Sequence, residues 1–202
     1  MSEAASRKMY APGAYAASDP AAIVAKYPFA HLITSVNGET FATPTPILFE
    51  TDDTRATLVG HMARINPHAS VLQPNQPALV VFSGPHTYIS ASWYRTVLTV
   101  PTWDYLAAQI RGRLDPIDDD EGQLAVLRRV AEVAERGSEN PWTIEQAPPG
   151  KVQQLLPRIR DWHAEITRDT VVSAHLCTAR ALLVHLGLEP QTTASRGRIE
   201  HA

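Results

Sequence analysis

The sequence predicts a mainly β protein with helices (α+β), built on an antiparallel barrel of short strands. Three observations carry that expectation. β-prone runs recur at close spacing between residues 29 and 115, with connections too short for a parallel, helix-linked sheet. An Asn37-Gly38 pair stands between two such runs, and both residues of a tight hairpin turn need positive φ. The hydrophobic period changes near residue 118 from strand-like to helical.

A short helix is expected after Ser18-Asp19-Pro20, because Asp19 can accept from free N–H groups and Pro20 suits the first helical position. It ends before Pro28. The first hairpin follows, Phe29–Val36 and Glu39–Thr43, with Pro44 and Pro46 marking an edge or a bulge before Ile47-Leu48-Phe49. Arg55 to His61 forms a third strand, and Asn66-Pro67 opens a short helix. Ala78–Ser83 is a continuous apolar strand broken at Gly84-Pro85, and His86–Ser90 pairs or continues beyond it. Tyr105 to Asp115 is another strand, with Gly112 as its bulge. Asp118 to Glu121 begins a helix with acids at its positive end, and Leu124, Leu127, Val130, Ala131 and Ala134 lie on one face of it. Gly137 stops that helix. A shorter helix over Val152–Ile159, a closing strand over Trp162–Thr167, a last helix over about Ser173–Leu186 and a flexible tail complete the chain.

With 202 residues, 44% hydrophobic and 19% charged, the chain is one domain with enough apolar material for a core. A net charge of −3 gives no uniform positive field, so nucleic acid is not an expected partner. The lone Cys177 excludes an intramolecular disulfide and a thiolate cluster. No run approaches the ~20 apolar residues of a membrane span, and the first twenty residues lack a signal-type stretch, so a soluble cytoplasmic protein is expected.

Two clusters can carry chemistry. In Gly60-His61-Met62-Ala63-Arg64-Ile65-Asn66-Pro67-His68, a histidine sits at a strand end with an arginine three residues on. That arrangement can hold an anion or present an imidazole to a metal, or His61 can be a half-buried strand-end residue with Arg64 as a surface ion-pair partner. The run Gly84 to Tyr94 packs hydroxyls and aromatics together, with His86, Tyr88, Ser90, Ser92, Trp93 and Tyr94. Aromatic bodies with polar tips suit the wall of a planar-cofactor pocket, and equally a dimer seam. Trp103, between Pro101 and Asp104, reads first as a packing residue. There is no zinc-protease motif, glycine-rich phosphate loop or nucleophile elbow.

MYAPGAY, GHMARINPH, FSGPHTYISASWY, VPTWDY and the Asn140-Pro141-Trp142 triplet resemble the PaiB-type proteins, commonly labelled FMN-binding negative transcriptional regulators. The resemblance covers about residues 9 to 166 and implies a split β-barrel domain with inserted helices over 9–168, of the pyridoxamine-phosphate-oxidase and flavin-reductase type, working as a homodimer with cofactor sites between subunits. A C-terminal helix over 169–190 would pack on the barrel or on the dimer partner, followed by a flexible tail over 191–202. The chain departs from the family pattern in two places. Thr170–Leu176 replaces the usual Lys-Leu-Ser-Gln segment, and Pro44 stands where a histidine is usual.

Those departures fit the piperazate synthases, a PaiB-like branch that uses haem b in place of flavin. These enzymes convert N5-hydroxy-L-ornithine, a small amino-acid substrate, to L-piperazic acid by forming an N–N bond. On that resemblance His61 is the axial iron ligand and Arg64 the partner of a propionate or of the substrate carboxylate. Tyr88, Ser90, Ser92, Trp93 and Tyr94 shape the cavity, and Trp103 covers a haem face. The general base is not identified. The alternatives are an FMN- or haem-binding split-barrel oxidoreductase and a PaiB-like transcriptional regulator.

Overall fold

The computed structural model describes residues 20–51, 56–94 and 100–166. Six strands close into an antiparallel barrel in the order β1-β2-β3-β6-β5-β4, where β1 is Phe29–Val36, β2 Glu39–Thr51, β3 Ala56–Ala63, β4 Gln76–Ile89, β5 Thr102–Ile117 and β6 Ile159–Ile166. Helices α1 (Pro20–Lys26), α2 (Pro67–Ser70), α3 (Asp120–Ala134) and α4 (Lys151–Leu155) lie around it. The expected C-terminal helix and tail fall outside the described residues.

Local chemistry explains most element boundaries. Asn37 and Gly38 both take positive φ, 51° and 84°, and join β1 to β2 in the expected hairpin. Asn66 caps α2 by accepting from the His68 backbone N–H at 3.0 Å, with Pro67 at the first helical position. Asp119 caps α3 by accepting from Gly122 N–H at 2.7 Å.

The two prolines of β2 lie inside a barrel strand, not on a sheet edge. They pair with β1, Pro44 opposite His31 and Pro46 opposite Phe29, whereas β3 pairs only from Ile47 onward. The Ile47 N–H points to the β1 side, donating to the Pro28 carbonyl at 2.7 Å, so the neighbouring Pro46 nitrogen faces the side that β3 has left unpaired. The Thr45 hydroxyl donates to the His61 carbonyl there, supplying a donor that proline cannot.

The irregularity of the β4–β5 pair lies between Ser83 and His86, not at Gly112, which pairs in register with Ala78 and Ile166. Gly112 is needed for close approach instead: a Cβ there would lie 2.6 Å from the Glu165 carbonyl oxygen. The expected helix over 152–159 shortens to α4 and a 3₁₀ turn, Leu156–Arg158, and β6 begins at Ile159.

Leu32, Ile47, Leu58, Val80, Phe82, Ile110, Leu114 and Trp162 fill the barrel with no more than 1% of their surface exposed. On β3 the inward residues are Leu58, Gly60 and Met62; on β6 they are Trp162 and Ala164. Successive side chains of a strand alternate faces, so His61 and Asp161 project outward. α3 packs against β3 and β6 from that outer side, burying Gln123 and Val126.

Closure fixes where each part of the molecule lies. β3 and β4 are three strands apart in either direction around the ring, on opposite walls. The end of the barrel that holds His61 also holds Asp161 and Ile117, its successive partners across β6 and β5. β4 and β5 leave the other end as a two-stranded ribbon, His86–Ile89 against Thr102–Tyr105, paired to no other strand.

Candidate functional site

The two histidines of the GHMARINPH segment have different roles. His68 is 2% exposed and both ring nitrogens are engaged, Nε2 with Thr34 Oγ1 at 2.9 Å and Nδ1 with Thr43 Oγ1 at 2.9 Å. Its ring also stacks on Phe41 at 5.5 Å between centroids. A saturated imidazole of this kind is part of the core. His61 is half-buried and its Nδ1 is buried without a hydrogen-bond partner. Burial lowers its pKa, which favours the neutral imidazole a metal requires.

Asp161 faces His61 across the β3–β6 ladder. It has no exposed surface, and neither carboxyl oxygen has a hydrogen-bond partner. Burial pushes its pKa up to about 7, against the pull of the Arg64 and Arg160 guanidinium groups. Arg64 is exposed and its backbone N–H donates to the Arg158 carbonyl at 2.8 Å. Arg160 pairs with Asp118 and keeps a buried, unpartnered Nε. One half-open imidazole, one buried carboxyl and two guanidinium groups therefore share an end of the barrel.

The raised Asp161 pKa has a measurable consequence. Between about pH 4 and 7 the folded protein holds a proton that the unfolded chain has released, so stability falls as pH rises through that window and levels off above it. The lowered His61 pKa acts oppositely, adding stability as pH rises toward 6.5. Denaturant unfolding of wild type and Asp161→Asn at several pH values separates the two. The difference, wild type minus variant, should drop by up to about 4 kcal/mol from pH 4 to 7; parallel curves would show that Asp161 ionises normally.

The second group lies on the ribbon. Tyr88 and Trp103 are cross-strand partners with rings 5.8 Å apart, edge to face, and His86 lies 6.1 Å from Trp103. Tyr88 is 45%, Trp103 53% and Trp93 67% exposed, far more than packing residues would be. Trp103 is thus a surface aromatic and not the buried packing residue that its place beside Pro101 suggests. Ser90 caps the 3₁₀ turn Ala91–Trp93, accepting from Ser92 N–H, and the two hydroxyls are 2.8 Å apart. The Tyr94 backbone N–H closes that turn on the Ala91 carbonyl. Ser90, Ser92, Trp93 and Tyr94 therefore follow directly on Tyr88, at the ribbon end.

One chain does not unite the two groups. His61 and Arg64 lie at one end of the barrel; Tyr88, Ser90, Ser92, Trp93, Tyr94 and Trp103 belong to the ribbon that leaves the other end, from the opposite wall. Asp161 and Arg160 were not marked by the sequence as site residues. The only signal was the alternation of the closing strand, which puts residue 161 on its polar face. Among the described residues no group of three or more His, Cys, Asp or Glu could hold a bare metal ion, and no helix is long and apolar enough to cross a membrane.

Comparisons with known proteins agree with this architecture. The chain is similar to the flavocytochrome Anf3 from Azotobacter vinelandii (TM-score 0.59, 19% identity, 80% of this chain and 68% of that one). It is also similar to an FAD and heme binding protein from Mycobacterium smegmatis (TM-score 0.53, 18% identity, 78% and 69%). These likenesses establish the split-barrel fold. In sequence, the chain is 32% identical over 131 residues to Protease synthase and sporulation protein PAI 2 of Bacillus subtilis, covering 65% of this chain and 62% of that protein. An 84-residue stretch is 38% identical to the uncharacterized protein YKL070W of Saccharomyces cerevisiae, covering 39% and 50%. The chain spans between 50% and 62% of the length of the curated relatives it matches. Residues 9–168 match the family model described as "Putative FMN-binding domain", and the chain, an antiparallel split barrel, belongs to that family.

Proposed function

We propose that this chain is a cofactor-dependent split-barrel enzyme whose prosthetic group is haem b, ligated by His61, in a homodimer that builds each site from two copies. The observation that carries the reading is His61 itself: a neutral, half-open imidazole on a barrel strand, with guanidinium groups nearby. Haem needs only one or two protein ligands, because the porphyrin supplies four nitrogens. Arg64 and Arg160 match its propionates. The separation of the two groups supports the dimer, because a second copy can bring its exposed aromatic ribbon against the His61 end of the first.

The residues present suit a haem or a flavin, both planar and anionic. The family model favours FMN as the alternative cofactor, with an oxidoreductase as the corresponding activity. We favour haem because a half-open imidazole kept neutral by burial suits an iron ligand and has no evident use in flavin binding.

The finer reading is a haem-dependent cyclase that forms an N–N bond, converting N5-hydroxy-L-ornithine to L-piperazic acid with loss of water. It rests on the departure at Thr170–Leu176 from the family's polar segment. When bound, ferric haem supplies a Lewis acid for the hydroxylamine oxygen. The protein's part is positional. A guanidinium fork holds the substrate carboxylate, the aromatic ribbon of the partner excludes water, and the two nitrogens are held in contact. Such orientation contributes on the order of 7 kcal/mol to ring closure.

Titration of the purified chain with haem tests both levels. The expected result is saturable uptake with a Soret band, and after incubation with N5-hydroxy-L-ornithine a product lighter by one water. A chain that takes up FMN and ignores haem is the FMN oxidoreductase instead. Haem uptake without the mass loss keeps the cofactor and removes the cyclase.

A further inference from the structure

Two buried polar groups of the barrel are unpaired, complementary and adjacent. His61 Nδ1 and both carboxyl oxygens of Asp161 lack hydrogen-bond partners. The two residues are directly opposed in the β3–β6 ladder and project from the same face. Directly opposed residues have Cβ atoms roughly 5 Å apart, so a small side-chain rotation brings a carboxyl oxygen and a ring nitrogen into hydrogen-bond range. Leaving a buried polar atom unpaired costs about 1–3 kcal/mol, and one shared proton satisfies both groups at once.

We propose that Asp161 is the positioning residue of His61: its ionised carboxylate accepts a hydrogen bond from Nδ1–H, fixes the ring's tautomer and orientation, and leaves Nε2 free to face the ligand. The surroundings hold the pair in place. Thr45 donates to the His61 carbonyl and fixes the strand at that residue. The fully buried Trp162 follows Asp161 and lies against Gly60, one step back along the ladder. Arg64 and Arg160 lie close enough to act on the Asp161 charge, and Arg160 is itself tied to Asp118. Asp161 lies in none of the segments that carried the family resemblance.

The inference rests on His61 as the ligand histidine, yet the pair can be measured with no cofactor present. In the cofactor-free protein labelled with ¹⁵N-histidine, above the pH at which Asp161 ionises, His61 should show its proton on Nδ1. In Asp161→Leu it should move to Nε2, the nitrogen a free imidazole prefers. Asp161→Asn, closer in size, should fold as wild type does and show a mixture of the two. A wild-type His61 protonated on Nε2, or a tautomer unchanged in both variants, overturns the proposal.

With haem loaded, Asp161→Asn should weaken haem binding roughly 10–100-fold and raise the iron reduction potential, because the ring becomes a poorer electron donor. Weaker binding with an unchanged potential would mean that Asp161 acts only through the fold, and would also overturn it. The failures are distinguishable. A Soret band indifferent to His61 removes the ligand assignment and leaves the tautomer result standing, whereas a wrong tautomer removes Asp161 and leaves the ligand assignment intact.

Discussion

His61→Ala is expected to abolish the ligated-haem spectrum, lowering haem affinity by at least ~100-fold, beyond what loss of an outer-sphere partner costs a metal site. The comparison that gives this result its meaning is His68→Ala, seven residues on in the same segment. His68 is bonded at both nitrogens to Thr34 and Thr43, so its removal opens a cavity and strands two hydroxyls. It should cost about 2–4 kcal/mol of stability and leave the Soret band of the folded protein in place. Difference spectra on the two variants with measured unfolding midpoints separate the roles. Equal loss of the band in both, at equal folded fraction, would remove His61 from its assigned place.

Gly60→Val is expected to destabilise the barrel strongly. A Cβ at residue 60 would lie 2.6 Å from Trp162 Cζ2, 3.0 Å from Cε2 and 3.1 Å from the Pro46 carbonyl oxygen. Trp162 is fully buried and has no room to yield. An added side chain limits the unfolded chain and so contributes ~0.4–1 kcal/mol in favour of folding, but overpacking of a filled core costs ~1–3 kcal/mol for a modest excess. The clash wins for Gly60→Ala, and Val adds two further methyl groups in the same space. For a chain of this size ~3 kcal/mol is roughly 6–12 °C in the unfolding midpoint. Calorimetry on Gly60→Ala and Gly60→Val measures it, and midpoints within two degrees of wild type would show that the indole moves aside.

The local rules of the chain were legible because they act within a few residues. Asn37-Gly38, Asn66-Pro67 and the acidic run Asp118–Glu121 each set a turn or a helix start through neighbours close in sequence, and each does so in the structure. The prolines of β2 were harder, since their tolerance depends on β3 beginning its pairing only at Ile47. His61 and His68 could not be told apart from spacing alone. What distinguishes them is the pair of hydroxyls on Thr34 and Thr43, which lie 34 and 25 residues from His68. Asp161 was invisible for a related reason. Its position in an alternating strand marks it as a surface acid, whereas in the structure, where α3 packs against β3 and β6, it has no exposed surface. The wide separation of His61 from the aromatic ribbon is a property of ring closure, which no local pattern encodes.

β6 has a consequence for the order in which the molecule can be assembled during synthesis. It is the last of the described strands in sequence, yet it enters between β3 and β5. Until Ile159–Ile166 has left the ribosome, the earlier strands can form only an open sheet, β5-β4-β1-β2-β3, with two bare edges. Trp162 and Asp161 are absent from that nascent sheet, so Gly60 has no indole over it and His61 has no carboxyl group opposite. The translating chain is thus most vulnerable to edge-to-edge aggregation just before its imidazole acquires its neighbours, and one eight-residue segment ends both conditions together.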